Sequence, residues 1–199
     1  RHFDLDDELD RLAVIAGARA AVVFDERSPV VWGCSSRRAA GWDVETMEIA
    51  RHLAEGTRQV GLDPARWLTD GPPSPAVLRA AGVDDTLGQR WSHRFRRLAD
   101  LAPEWSRDDW HEALQVAIAV TEARARCEGG AAPERVAEHG VDWGVFARAF
   151  AQIYMLALVF DGPYSELHAE GPLVRALSYI EAMVLALPPG DPPRGAKVI

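Results

Sequence analysis

Cys34, in the stretch Trp32-Gly-Cys-Ser35, is the only residue of the sequence with the setting of a candidate nucleophile. A catalytic cysteine needs a depressed pKa and a base beside it, and none of the six histidines is tied to Cys34 by spacing. Its alternation with Val30 and Trp32 in a short β-prone run predicts an ordinary buried thiol. His111-Glu112 lacks the second histidine that a helical zinc motif would place at Gln115, and His52, His93, His139 and His168 stand alone. Asp84-Asp85 and Asp108-Asp109 are adjacent carboxylates, but each pair precedes a predicted helix, where acids stabilise the positive end of the dipole. Gly61, Gly71 and Gly82 have neither the spacing nor the following lysine of a phosphate loop. Arg94-Phe95-Arg96-Arg97 interleaves base and aromatic as nucleic-acid sites do. Yet Phe95 fits an apolar helical stripe and the arginines its wet side. The chemistry-bearing residues therefore point to a protein that is not an enzyme, with no catalytic residue, no metal and no cofactor.

Composition points the same way. The 199 residues carry 22 basic and 30 acidic side chains, a formal charge of −8 that opposes binding to phosphate backbones, so no nucleic-acid partner is expected. Of the basic residues 21 are Arg and one is Lys197; with abundant Ala, Gly and Pro, this bias reads as that of a GC-rich genome. The longest nearly apolar stretch, Ala151–Phe160, is far shorter than the ~20 residues of a membrane span. Two cysteines, Cys34 and Cys127, exclude a disulfide framework and a cysteine zinc cluster. The first ten residues are acidic rather than signal-like, and the expectation is a soluble, cytoplasmic protein.

The elements that would position these residues follow from periodicity. Leu5, Leu9, Leu12 and Ala16 form one stripe of a helix over Asp4–Gly17. Arg19–Asp25 and Val30–Ser35 read as an antiparallel hairpin. Asp43 is an N-cap flanked by Trp42 and Met47 at staple spacing, which predicts a helix to about Val60. Asp63–Pro75 is loop-like, since Asp70-Gly-Pro-Pro-Ser-Pro75 cannot sit inside a helix. Helices follow over Thr86–Leu101, with Leu87, Trp91, Phe95 and Leu98 inward, and from Ser106 to about Glu128. Val141–Phe150 and Ile153–Phe160 read as adjacent strands, the second buried on both faces, although helical spacing also fits and no turn residue divides them. Leu173, Leu177, Ile180, Val184 and Leu187 define a closing helix whose only polar stripe is Arg175, Ser178 and Glu181; Pro188-Pro189 ends it, before a mobile tail. Core packing accounts for most of the seven tryptophans, leaving one or two for a partner.

Helix, hairpin, helices, strands and a last helix predict an α+β fold, an antiparallel sheet with flanking helices. Arg19-Ala-Ala-Val-Val-Phe-Asp25 with Val30-Val-Trp-Gly-Cys34, and Ile153–Asp161 with Leu173–Leu187, resemble the roadblock (dynein light-chain-like) family. That family shares a profilin-like plan with longin and GAF domains. The resemblance implies one domain over residues 1–60 and 107–187, a helical insertion at 61–106 and a flexible tail at 188–199. It also implies a homodimer formed through a central helix and an edge strand, and regulation of a small Ras-like GTPase. The strand Trp143–Arg148 is the expected edge, with the Trp42–Val60 helix beside it. Trp42, Met47, Trp143, Phe146 and Arg148 are the expected partner-binding residues. The alternative is a GAF-like small-molecule sensor, which requires a closed pocket between the sheet and the inserted helices.

Overall fold

A computed structural model describes residues 5–28, 30–36, 38–39, 41–128 and 133–187, so the expected tail lies outside the described residues. The chain is α+β. It runs α1 (Leu5–Ala16), β1 (Ala20–Asp25), β2 (Val31–Cys34), α2 (Val44–Gln59), α3 (Pro64–Asp70), α4 (Pro75–Ala80), α5 (Asp85–Ala99), α6 (Arg107–Ala125), β3 (Arg135–His139), β4 (Gly144–Phe150), β5 (Tyr154–Phe160) and α7 (Glu166–Ala186). The strands form one antiparallel sheet in the order β2-β1-β5-β4-β3.

Alternation along the strands divides the core into two layers. Ala20, Val22 and Phe24 of β1, Val145 and Ala147 of β4, and Met155, Ala157 and Val159 of β5 face a helical layer made by α2 to α6. Ala21 and Val23, Phe146 and Phe150, and Leu156, Leu158 and Phe160 face α1 and α7. Central β5 is thus buried on both faces, as its unbroken apolar run requires.

The caps explain the helix starts. Asp43 accepts from the Thr46 N–H to open α2. Ser106 and Asp109 form a reciprocal capping box at the head of α6. Asp63 caps α3 with Pro64 at its first position, and Ser74 caps α4 with Pro75 likewise. The segment expected to be a loop therefore holds a two-turn helix that stops at Asp70, before Gly71 at φ 89°. The closing helix also starts earlier than expected. Ser165 caps it, and Pro172 lies inside, where its missing N–H and ring cost about 3 kcal/mol. Burial of Ala169 and Leu173 on either side of Pro172 opposes that cost.

Three expectations are corrected. First, the sheet edge is not the Trp143–Arg148 strand: β4 is interior, paired to β5 and to β3, which is the true edge. Second, the helices against β4 are α6 and α7, while α2 packs on α6, α3 and α5. Third, Trp32 and Cys34 do not share a face. The register pairs Phe24 with Val31 and Val23 with Gly33, so Trp32 is skipped. That bulge sends Trp32 to the α1/α7 layer, edge-on to Tyr154 at 5.7 Å, and Cys34 to the other. The β4–β5 turn is made without glycine by Ala151 and Gln152 at φ 47° and 71°.

Candidate functional site

The two layers end differently at their outer surfaces. On the helical side, Trp42, Trp105 and Trp110 pack ring to ring at 4.7–6.1 Å. Trp67 stacks on Phe95 at 4.4 Å and meets Trp91 at 6.2 Å. Trp91 covers Gly56 of α2 so closely that a Cβ there would come within 2.8 Å of the indole. The helices of residues 61–106 thus share one continuous core with α2 and α6.

The α1/α7 layer is one helix deep. Leu5, Leu9, Leu12, Ala169, Leu173, Ile180 and Val184 are buried against the sheet. Among polar outward residues such as Asp7, Arg11, Arg175 and Ser178, five aliphatics also face out: Val14 and Ile15 of α1 are 80% and 62% exposed, and Leu167, Val174 and Leu185 of α7 are 82%, 46% and 60% exposed. A single exposed leucine needs no explanation, but five exposed aliphatics on two helices that pack together are more than scattered exposure requires.

The head of α7 is tied to the sheet by stacking and ion pairs. At its head Tyr164 is stacked between Phe160, at 4.3 Å, and His139, at 4.4 Å, and its hydroxyl donates to the Val145 carbonyl at 2.6 Å. Burial, followed by the nearby Glu166 and Glu138 carboxylates, pushes that phenol above its ordinary pKa, so it stays a donor. Arg135 and Arg148 reach from β3 and β4 to Glu166 and Glu170.

The expected partner residues have other tasks. Met47 and Phe146 have no exposed surface, and Trp42 is buried. Half-buried Trp143 lies across Gly140 and closes the β3–β4 turn. Arg148 ties β4 to Glu170 of α7 and to Glu134 beside β3. The outward residues of α1 and α7 are not among the residues that the sequence pattern singles out. Their signal was the breadth of apolar character around Leu173–Leu187, where only one narrow polar stripe interrupts it.

The chemistry-bearing candidates do not assemble. Cys34 is buried; that burial, with Asp6, Glu112 and Asp10 adding negative charge, pushes its thiol up to about 12, the opposite of an activated nucleophile. Beside it Glu112 accepts from Ser36 at 2.9 Å and faces Arg19 and Arg38, which also pair with Asp161 and Asp109. This cluster joins the hairpin to α6 and the end of β5, with two arginines shared among three carboxylates. Asp109, held by Ser106 and then by Arg38, is lowered to about 2. Among the described residues no three His, Cys, Asp or Glu side chains are placed to hold a metal, and no helix is long and apolar enough to cross a membrane. Grooves of about 490–550 Å³ run between α4 and α5, between α2 and α5, and beside α3 and α6. They are lined by helices and loops, not by the sheet. No family model, curated protein or solved structure matches the chain.

Proposed function

We propose that this protein is a non-enzymatic interaction module, a dimeric adaptor or regulator of a small Ras-like GTPase built on a roadblock-like plan. The observation that carries the reading is the outer side of α1 and α7, where Val14, Ile15, Leu167, Val174 and Leu185 stand in solvent on helices whose inner sides are buried. Apolar surface gathered on one layer is what partner association removes from water, at about 25 cal/mol per Å². The element order, a helix and hairpin, helices, then strands and a final helix, supports the family plan. The buried, acid-flanked thiol at Cys34 supports a role without covalent catalysis.

The test is capture of purified small GTPases from the source organism, loaded with GDP or a GTP analogue, on the immobilised chain. Retention of one nucleotide state, lost when Ile15 is changed to Asp, is the expected result. Equal absence of binding in both states, with a correctly folded chain, sinks the GTPase assignment.

A further inference from the structure

The exposed side of α7 has an internal symmetry. At roughly 100° per residue, Leu167, Gly171, Val174, Ser178, Ala182 and Leu185 fall within about 40° of the direction of Ser178. Arg175 and Glu181 lie three residues before and after Ser178, about 60° to either side. Neither makes an ion pair among the described residues, in a chain where Arg19, Arg38, Arg51, Arg58, Arg135 and Arg148 all do. Reading the helix backwards from Ser178 exchanges the positive end of this stripe for the negative one.

We infer that this stripe is a two-fold contact with a second copy of the chain, the two α7 helices antiparallel and crossing at Ser178. The inference rests on the reading of the protein as an interaction module and names its partner on this face. In that arrangement Arg175 of each copy stands level with the partner subunit's Glu181, within reach of an arginine side chain at the usual interaxial distance of about 8–10 Å. Val174 opposes Ala182 and Leu185 opposes Gly171, large against small on both sides of the axis, the complementarity an isologous contact requires. The parallel arrangement would set Arg175 against Arg175 and Glu181 against Glu181. Charge therefore selects the antiparallel one. Val174, Arg175, Ser178, Ala182 and Leu185 are exposed and Gly171 and Glu181 half-buried, while the inner residues of α7 already pack on the sheet; association needs only the Arg175 side chain to swing off Gly171, over which it lies.

Charge reversal tests it by sedimentation equilibrium on the full chain. Arg175→Glu makes the stripe wholly acidic and Glu181→Arg makes it wholly basic. Each alone is expected to weaken self-association at least about tenfold, and an equimolar mixture of the two to restore it as a mixed dimer. Ser178→Cys is expected to give a disulfide-linked dimer under mild oxidation, because residues on the axis approach within the about 4.4–6.8 Å that a disulfide spans, while Tyr179→Cys on the flank does not. Circular dichroism checks that each variant is folded. A wild-type chain that stays monomeric at high concentration overturns the inference and leaves GTPase capture to be judged separately. A dimer indifferent to both charge reversals overturns the α7 surface and keeps the dimeric reading.

Discussion

The two faces of the sheet are built from the same alternating strands and finished in opposite ways. One carries five helices that knit around α2 and α6, and its aromatic rings are spent on each other: Trp42, Trp105 and Trp110 in one group, Trp67, Trp91 and Phe95 in another. The other carries two helices, with no further layer among the described residues to cover their outer sides. The first layer buries more than twice as many apolar residues as the second, and it is also deeper. A tryptophan in the thick layer is a structural anchor, whereas a leucine on the outside of the thin layer has water where a neighbour would be. The tryptophans, which attract attention in the sequence, belong to stability. The plain aliphatics on the outer sides of α1 and α7 are the ones left in water.

Substitutions sharpen that contrast. Trp110→Ala, in the thick layer, is expected to cost about 3–5 kcal/mol in urea unfolding, since the indole is fully buried among two other tryptophans. A cost below about 1 kcal/mol would mean that this layer is loosely packed. Gly56→Ala should cost about 1–3 kcal/mol, because the new methyl group meets the Trp91 ring, and its size measures how firmly α5 is seated on α2. On the thin layer Leu185→Ser should change monomer stability by no more than about 0.5 kcal/mol while reducing association. The smallest effect belongs to acid. Asp109 has a folded pKa of about 2 against an ordinary value near 3.8, so its stabilisation is complete above pH ~4 and disappears as pH falls through about 2. Asp109→Asn should flatten that acid limb, and an unchanged limb would show that neither the Ser106 capping bonds nor the Arg38 pair favours the ionised carboxylate.

What was legible in the sequence follows the same division. Strong local signals were read: the Asp43 and Ser106 caps, the hairpin at Ala20–Cys34, and the dense run that became β5. β3 is not legible, because Arg135-Val-Ala-Glu-His139 buries only Val136 and fills its other positions with polar or small side chains. Edge strands carry little apolar pattern for the same reason that they resist pairing. Missing β3 is what made β4 look like an edge. α3 was hidden by the Gly and Pro that follow it, and the first turns of α7 by Gly171-Pro172. The candidate surface was less legible still, since exposure depends on which side of a helix the fold leaves uncovered, and periodicity alone cannot choose between two apolar sides.

The charged edge strand has a consequence for how the protein meets other chains. A sixth strand laid along β3 would have to strip water from Arg135, Glu138 and His139, and at the opposite end β2 is only four residues long, with the Cys34 N–H already given to Asp6. Growth of the sheet by backbone pairing is thus opposed at both ends. Contacts that form through side chains on the helices can exchange partners and come apart, where a shared sheet would lock chains together. Neither edge of the sheet therefore invites a neighbouring copy to add a strand and seed a fibril.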